Sequence, residues 1–470
     1  MNTYIAVIMG YFGFVVLVST FTRRFASRSA SDFLIAGRNL GVIVCAVVVA
    51  AEWLGGMSTI GVSEKAFTTG TLQPILYNFS TALGMVIIGF TVASHYRRQN
   101  VHTVSEMLET LFGSRARTVS AVSFLVAYVT LAYVQLQTCS SVIASLFGID
   151  WIAAVLISSA IITLYTYMGG MHALAITGLI HVITMFTGIG IAMVLGLSKV
   201  GGFDTLWRML VETGAPHNLY NPFSADLGYA FSLLLGGILG GMAGQASIQP
   251  IFAAKDPKTA KRAAIMSSLI IAPFGVMVGI LGLIAKTGLF IDPGINPKMA
   301  LPTLLTSPGF IHPVLGGLAL AGILAAILST VGPVNFAVVT IATKDIYHGL
   351  MNKSADDKKI LGTAKRLVLM VNVVTIPLAI FIKGAILDAA YVSYAIRAIG
   401  AIVIVLGIYA NGWITSLGAK LAFIGGTITI FSCIIAGKLG WFHVDKTYGA
   451  VISAIVFIMV GNAITRLKEK

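Results

Sequence analysis

The sequence predicts an all-α polytopic membrane protein with about thirteen transmembrane helices, and three observations predict this fold class. The chain has 470 residues, of which 57% are hydrophobic and only 10% charged, and its mean hydropathy is +0.92. Soluble domains carry about 25% charged residues, so this chain could not cover itself with a polar surface. Apolar windows of about 20 residues recur along its length, and each could cross a hydrocarbon core of about 30 Å as a helix. The third observation is that its basic residues fall mainly in alternate loops.

The apolar windows give the order of the predicted spans. They lie near residues 4–22, 41–66, 73–95, 119–147, 150–168, 173–197, 226–250, 263–287, 312–341, 363–383, 388–409, 416–437 and 446–465. The first window lacks a basic leading region and a small-residue cleavage site, so we interpret it as a retained helix and not as a signal peptide. The three cysteines lie inside these windows, which predicts packing and not a disulfide framework or a metal site.

The distribution of charge predicts the orientation. With the N-terminus outside, the inner loops contain 21 Lys and Arg residues and the outer loops contain eight. By the positive-inside rule, thirteen spans then have an outer N-terminus and a cytoplasmic C-terminus in the cell membrane. The net charge of +14 is thus a topology signal, and we expect the lipid bilayer and a small-molecule solute as partners, with no nucleic acid. No obligatory protein partner and no organic cofactor are indicated.

The second predicted span contains the stretch AAEWLGGMST, with Glu52 near its middle. A carboxylate at this depth must face a wet cavity, find a partner or stay protonated, so it is a candidate functional residue. Gly55 and Gly56 each weaken a helix by about 1 kcal/mol relative to alanine and indicate an unwound segment. Two alternatives stay open, namely a structural glutamate inside the bundle and a glycine pair at a close helix crossing.

A related stretch in the seventh span favours the unwound segment. Residues 54–57 and 239–242 both read LGGM, and the two spans have opposite predicted orientation. Repeated broken helices in two halves of a chain are typical of inverted-repeat transporters with a site near the membrane midplane. The match is four residues long in a chain with 50 glycines, so it supports this interpretation without carrying it alone.

The ninth span contains AAILSTVGPVNF, where hydroxyl groups collect on one face. Ser329 and Thr330 follow Ala326 by three and four residues, so the three share roughly one helical face. Pro333 frees the carbonyl of the residue four positions earlier. Neutral oxygens of this kind suit a small, hard cation. The alternative is that both hydroxyls bond only to their own helix.

Four motifs, in the expected order and on the expected loop sides, resemble the sodium:solute symporter family of sodium/proline and sodium/glucose-type symporters. They are SDFLIAGRNLG, YMGGMHALAITGLIH, IQPIFAAKDPKTAKRA and AAILSTVGPVNFAVVTIATKDIY. The resemblance implies a five-plus-five inverted-repeat core with broken first and sixth core helices. The implied divisions are an extra helix and cytoplasmic loop at 1–40, a first repeat at 41–197, an extracellular loop at 198–225, a second repeat at 226–409, and two C-terminal helices with a short tail at 410–470.

The resemblance also implies sodium as the coupling ion. Matched by position, its ligands would be the backbone oxygens of Ala46, Val49 and Ala326 and the hydroxyls of Ser329 and Thr330. Members able to bind two sodium ions carry an aspartate where this chain has Gly178, and further hydroxyls where it has Gly332 and Pro333. We therefore expect one sodium ion per solute molecule.

The same resemblance implies a solute site at the broken helices. The matching residues are Glu52, Trp53, Gly55, Gly56, Tyr77, Asn78, Gly241 through Gln245, and Arg397. If Glu52 and Arg397 both face the solute, a zwitterion such as an amino acid fits. If only Arg397 does, a monocarboxylate fits, since guanidinium groups bind carboxylates in bidentate fashion. If the two side chains pair with each other, a sugar or another neutral solute becomes possible.

The predicted function is import of a small polar organic solute by sodium symport with alternating access, with an amino acid or a carboxylate favoured. A proton-coupled carrier on the same fold is the main alternative, using Glu52 or His181, because histidine titrates near physiological pH. His181 could equally be a satisfied interior residue. A transporter-like sensor and a channel are remote alternatives. No nucleophile–base pair or nucleotide loop indicates an enzyme.

Overall fold

The structure is a computed structural model that describes residues 2–22, 38–168, 171–410, 412–441 and 443–468. Within these ranges every regular element is a helix, and one isolated β-bridge joins Leu40 to Ala254. A helix satisfies its backbone hydrogen bonds within one segment, which is what a hydrocarbon environment requires. The predicted all-α membrane fold is confirmed.

The helices are numbered α1 to α19 in chain order. The first ten are α1 (Asn2–Thr22), α2 (Val42–Trp53), α3 (Met57–Thr69), α4 (Leu76–Phe90), α5 (Ala93–Arg98), α6 (Val104–Phe112), α7 (Ser114–Phe147), α8 (Trp151–Met168), α9 (Met171–Val200) and α10 (Phe203–Glu212). The others are α11 (Leu227–Met242), α12 (Gln245–Phe252), α13 (Pro257–Lys286), α14 (Ala300–Thr306), α15 (Pro313–Thr340), α16 (Asp357–Phe381), α17 (Ile386–Tyr409), α18 (Ser416–Lys438) and α19 (Lys446–Lys468). After Thr340 the chain continues from α15 as a wider helix to Met351.

Each of the thirteen predicted windows contains a helix. Ten helical segments in the described part of the chain are long and apolar enough to cross a membrane, and the bent pair α2–α3 adds an eleventh. The remaining two windows coincide with shorter apolar stretches, Thr3–Val18 and Trp151–Tyr167. Helix α7 begins at Ser114, five residues before its window, because Arg115 and Arg117 end the apolar run without ending the helix. The number of helices that cross the bilayer stays a prediction.

Both predicted helix breaks are present. Helix α2 ends at Trp53, α3 begins at Met57, and the two axes differ by 55°. Helix α11 ends at Met242, and α12 resumes at Gln245 after an extended Gly244 (φ −79°, ψ 105°). The first break lies inside its LGGM sequence and the second follows it, so the two four-residue motifs do not occupy equivalent positions.

The broken helices lie in the middle of the helix packing. Helix α2 packs against α9, α13 and α15, while α11 packs against α4 and α17. Helix α7 contacts both α15 and α17, and α1 packs against α15. The exact division into repeats at 41–197 and 226–409 stays a prediction.

Two predicted features fall outside the described residues. One is most of the first inner loop, residues 23–37, which holds Arg23, Arg24 and Arg28 and most of the SDFLIAGRNLG motif. The other is the Gly169–Gly170 turn of the YMGG motif.

Candidate functional site

The hydroxyl pair of α15 meets the end of α2. Ser329 Oγ lies 2.8 Å from the carbonyl oxygens of both Ala51 and Ala326. Thr330 Oγ1 lies 3.1 Å from the carbonyl oxygen of Ala51 and 2.8 Å from that of Glu52. The two hydroxyls therefore bond across to α2 and not only to their own helix.

This contact collects neutral oxygens of the kind that a hard cation prefers. A hydroxyl that donates its hydrogen to a carbonyl retains lone pairs for a metal ion. The chemistry of the donors thus fits sodium. Ala46 and Val49, the other two expected ligands, are buried on α2. The α15 hydroxyls contact the carbonyls of Ala51 and Glu52, further along the helix, so the predicted ligand set stays a prediction.

The glycine pair at the first break permits two close approaches. A Cβ atom on Gly55 would lie 2.1 Å from Thr330 Oγ1, and one on Gly56 would lie 2.2 Å from Thr138 Oγ1. The backbone N–H of Gly56 donates to Gln135 Oε1 at 3.1 Å. The break and the close helix crossing, which the sequence offered as alternatives, therefore occur together.

Arg397 is a fully buried cation among aromatic rings. Its side chain is 0% exposed, and its guanidinium carbon lies 4.3 Å from the ring centre of Tyr394, 5.4 Å from that of Trp53 and 5.6 Å from that of Tyr128. Nη1 makes a long hydrogen bond of 3.4 Å to the hydroxyl of Tyr128. Among the described residues, Nε and Nη2 have no hydrogen-bond partner. A buried guanidinium without partners for two of its nitrogens is costly, so this geometry suits an anionic ligand.

Glu52 is a second buried charge with an unused oxygen. It is 2% exposed, and its Oε2 has no hydrogen-bond partner in the part of the chain that the structure describes. Among the described residues, no salt bridge of 4 Å or less joins Glu52 to Arg397. The arrangement in which the two side chains neutralise each other by direct contact is therefore not formed.

The aromatic rings connect three of the predicted residues. Trp53 stacks on Tyr394, with ring centres 5.8 Å apart and planes inclined by 19°. The hydroxyl of Tyr77 lies 2.8 Å from that of Tyr394 and 3.4 Å from the carbonyl oxygen of Trp53. The structure thus places Trp53, Tyr77 and Arg397 in one cluster.

The second helix break forms a glycine-lined wall of this cluster. A Cβ atom on Gly241 would lie 3.4 Å from the Trp53 ring, and one on Gly244 would lie 3.4 Å from the guanidinium carbon of Arg397. The resumed helix is anchored nearby, because the N–H of Ala246 donates to the Tyr128 hydroxyl at 2.9 Å. Both broken helices therefore border Arg397.

Two of the predicted solute residues hold helices together through their side chains. Asn78 donates from Nδ2 to Ser58 Oγ at 3.1 Å and to the carbonyl of Ile271 at 3.2 Å, although no described residue bonds to its Oδ1. Gln245 accepts from the N–H of Val104 at 2.8 Å and donates to the carbonyl of His102 at 2.9 Å. Gln245 therefore uses both ends of its amide on the segment that leads into α6.

Three residues of this region were missed by the sequence reasoning. Tyr394 precedes Arg397 by three positions, so helical spacing places the two on one face and could have indicated it. Gln135 is a polar residue in the middle of α7, which is a weak signal. Tyr128 carries no local signal, because only the packing of α7 against α17 brings it to Arg397.

His181 is a paired interior histidine. Its Nδ1 contacts the Tyr11 hydroxyl, and its Nε2 lies 3.1 Å from the hydroxyl of Tyr165. Both ring nitrogens are thus engaged, which agrees with the interpretation as a satisfied interior residue. Gly178 lies one turn away, and a Cβ atom there would be 3.8 Å from that of Ala51.

A network of ion pairs at the N-terminal end of α7 joins α6, α7 and the segment that extends α15. Arg117 contacts Glu106 at 3.0 Å, Glu109 at 2.7 Å and Asp345 at 2.9 Å. Burial by itself raises the pKa of Glu106, but hydrogen bonds and charge from His102, together with the charge of Arg117, outweigh it and lower that pKa to about 2. The network ties α6 and α7 to the segment that extends α15.

Two proteins that are similar to this chain in sequence are transporters. The osmoregulated proline transporter of Bacillus subtilis (strain 168) is 27% identical over 94% of this chain and 90% of its own. A sodium/proline symporter of Staphylococcus aureus is 25% identical over 100% of this chain and 93% of its own. These relatives are transporters and not enzymes.

Solved structures support the fold. A Na⁺-coupled sialic acid symporter in a substrate-bound, outward-open state superposes with a TM-score of 0.82 at 18% identity, over 98% of this chain and 97% of its own. A nucleobase-cation-symport-1 transporter superposes with a TM-score of 0.58 at 15% identity, over 92% and 95% of the two chains. The sequence model of the sodium:solute symporter family matches residues 33–426. Because this match covers most of the chain, the protein belongs to the sodium:solute symporter family.

Proposed function

We propose that the protein imports a small carboxylate-bearing solute, with a zwitterionic amino acid favoured, by symport with one sodium ion. Membership of the family supports sodium-coupled solute transport. The class of solute is our inference from the two buried charges and from the chemistry around them.

One observation carries the proposal, namely that two nitrogens of the fully buried Arg397 have no hydrogen-bond partner in the described ranges of the chain. A carboxylate can accept hydrogen bonds from two guanidinium nitrogens at once, and such charge-assisted pairs are strong. The rings of Trp53, Tyr128 and Tyr394 exclude water from the cation, which strengthens the attraction for an anion. A neutral polyol would bring no carboxylate to these two nitrogens.

Glu52 favours a zwitterion over a simple carboxylate. Its unpartnered Oε2 could accept a hydrogen bond from the ammonium of an amino acid whose carboxylate lies on Arg397. The names of the relatives, which include two proline transporters, agree with this class of solute. In this proposal, Trp53 and Tyr77 form an apolar wall of the solute site. The glycines at both helix breaks let the solute approach the backbone closely.

We assign the sodium ion to the oxygens between α2 and α15. Ser329 and Thr330 would contribute hydroxyls, and Ala46, Val49 and Ala326 would contribute backbone carbonyls. Since α2 and α15 belong to opposite predicted repeats, sodium would favour one arrangement of the repeats over the other. That difference would raise the affinity for the solute, and the solute would raise the affinity for sodium by the same factor.

The proposed setting is the cell membrane, with the N-terminus outside and the C-terminus in the cytoplasm. The excess of basic residues in alternate loops supports this orientation. The solute then enters from the outside and moves inward as sodium does.

The test is thermal stability of the detergent-purified protein while sodium replaces potassium at constant ionic strength. A ligand that binds only the folded state stabilises it by RT ln(1 + [L]/Kd), or about 2.7 kcal/mol at a hundredfold excess over Kd. We expect a saturable, sodium-specific increase in Tm. In the presence of sodium we expect a further increase with L-proline or another zwitterion, a smaller one with acetate or lactate, and none with a neutral sugar. Equal stability in both salts would refute sodium coupling, and a response to sugars alone would refute the solute class.

A further inference from the structure

The segment that follows α4 and the segment that leads into α13 form one surface at the end of α4. Gly89 lets α4 lie against the first turns of α13, since a Cβ atom on it would be 2.6 Å from the Ile265 side chain and 3.1 Å from the carbonyl of Lys261. The segment after α4 adds two contacts to the chain just before α13. Arg97 donates to the carbonyls of Ala254 and Lys255. Ser94 donates to the carbonyl of Pro257 at 3.2 Å. The surface therefore has a defined backbone frame.

Five exposed basic side chains project from this frame, and we call them the basic patch. Its members are Arg98, Lys255, Lys258, Lys261 and Arg262. In the described part of the chain, none of them forms a salt bridge with a carboxylate within 4 Å. The carboxylate next to them in sequence, Asp256, caps α13 by accepting from the N–H and the hydroxyl of Thr259, both at 2.8 Å.

The arrangement of these charges distinguishes the basic patch from an ordinary inner loop. The cytoplasmic excess of Lys and Arg accounts for the presence of basic residues, but it does not require that five of them from two segments meet beside a single carboxylate, Asp256. Arg117, near the start of α7, shows the contrast, because three carboxylates contact it. The basic patch is thus a local excess of positive charge, in which no member forms a salt bridge among the described residues.

The basic patch continues directly into a lipid-facing apolar surface. Phe90, at the end of α4, is 65% exposed, and the Lys261 ammonium lies 4.7 Å above its ring centre. Leu269 follows Arg262 by seven residues, which is two helical turns along the same face of α13, and it is 75% exposed. Met266 follows Arg262 by four residues and is also exposed. Positive charge at one level and apolar side chains just beyond it match a phospholipid, with its phosphate at the interface and its acyl chains below.

The geometry points to the basic patch as a binding site for the headgroup of an anionic membrane phospholipid, whose acyl chains lie along Phe90, Met266 and Leu269. Clusters of four to eight basic residues beside a membrane span attract anionic lipids, and each Lys or Arg adds to the attraction. A soluble anion would not use the apolar surface. The inference is independent of the transported solute, because the basic patch contains no residue of the proposed solute or sodium sites.

The test compares the full-length protein with a triple variant, Lys258→Gln, Lys261→Gln and Arg262→Gln. Tm is measured in detergent during titration with phosphatidylglycerol, and in parallel with phosphatidylcholine and with inorganic phosphate. For the unaltered protein we expect saturable stabilisation by phosphatidylglycerol alone. The triple variant should need about tenfold to a hundredfold more phosphatidylglycerol, because it lacks three of the five positive charges that attract the headgroup.

A charge-matched control is Lys353→Gln, Lys358→Gln and Lys359→Gln. These three lysines are exposed and lie outside the basic patch, at and just before the start of α16, so their loss should leave the titration with phosphatidylglycerol unchanged. A second variant, Phe90→Ala, removes an exposed ring without disturbing the core and should weaken binding by a smaller factor. Equal responses of both triple variants would overturn the assignment of the site. Equal stabilisation by inorganic phosphate would overturn the assignment of its ligand to a lipid.

Discussion

Gly55 and Thr330 approach each other so closely that a Cβ atom on Gly55 would lie 2.1 Å from Thr330 Oγ1. The contact joins the first helix break to the hydroxyl pair on α15, 275 positions later in the chain. The proposed solute site and the proposed sodium site therefore share a wall. A change at Gly55 should affect both of them.

We expect Gly55→Ala to impair sodium binding. The added methyl must displace Thr330 or the backbone, and overpacking of this kind typically costs about 1–3 kcal/mol. The apparent Kd for sodium, measured from the sodium-dependent Tm, should rise by at least about tenfold. The control is Gly362→Ala on α16, where a Cβ atom would have no neighbour within 4 Å. If the Gly55→Ala protein has an unchanged sodium response, the first helix break does not affect the proposed cation site.

The double variant Ser329→Ala and Thr330→Ala should lose the sodium response altogether. Without the two hydroxyls, the carbonyls of Ala51 and Glu52 lose their α15 partners, and the proposed sodium site loses two of its proposed ligands. The measurement is solute uptake into proteoliposomes as a function of the sodium gradient. Ser267→Ala is a matched control, because Ser267 is a buried helix serine bonded to the carbonyl of Ala264 on its own helix at 2.7 Å. If uptake keeps its sodium dependence in the double variant, the proposed ligands are wrong.

Variants of the two buried charges should separate classes of solute. Arg397→Gln removes the group proposed to receive the carboxylate, so KM should rise by about tenfold to a hundredfold for amino acids and monocarboxylates alike. Glu52→Gln should raise KM for amino acids and leave monocarboxylates nearly unaffected. Competition assays in proteoliposomes measure both effects, and sodium-dependent Tm confirms that each variant folds. The zwitterion proposal fails if Glu52→Gln affects both classes equally.

Gln245→Ala should destabilise the protein without changing its affinity for solute. Its amide group bonds to the backbone of His102 and Val104, so the variant leaves the buried N–H of Val104 unpaired, at about 1–3 kcal/mol, and also removes the bond to the partly buried carbonyl of His102. We expect a lower Tm and an unchanged KM. A large increase in KM with an unchanged Tm would instead place Gln245 in the solute site.

The ion-pair network around Arg117 should make stability depend on acid pH through Glu106. Because its pKa in the folded protein is about 2, below the ordinary value of about 4.3, Glu106 stabilises the fold above pH 4.3. That contribution is lost as the pH falls toward 2. From pH 6 to pH 3.5 the loss amounts to about 1 kcal/mol. Glu106→Gln should have a lower Tm than the unaltered protein at pH 6, and the difference should shrink at pH 3.5. A constant difference would contradict the lowered pKa.

Much of the fold and part of the site could be predicted from the sequence. The apolar windows located the helices, and the glycines next to Glu52 and before Gln245 located both breaks. The unusual charges, Glu52 and Arg397, stood out because they lie inside apolar spans. Helix ends were less accurate, since α7 continues through Arg115 and Arg117 beyond the apolar run.

The composition of the site was harder to predict. Gln245 adjoins the second break in sequence, yet its side chain bonds to the segment before α6. Tyr128 lies far from every motif, yet its hydroxyl contacts both Arg397 and the start of α12. The direction of a side chain depends on how its helix is rotated and on what packs beside it, and a sequence window contains neither.

By itself the sequence determined a helical membrane protein, its broken helices and the residue types available for a cation and an anion. These follow from local properties, such as hydropathy over 20 residues, helix-weakening glycines and charges in apolar surroundings. Only the tertiary structure decided that Arg397 stands apart from Glu52 among three aromatic rings, and that α15 touches α2 at Ala51 and Glu52. Those contacts join residues up to about 350 positions apart, and they depend on close packing of whole helices, which no local pattern specifies.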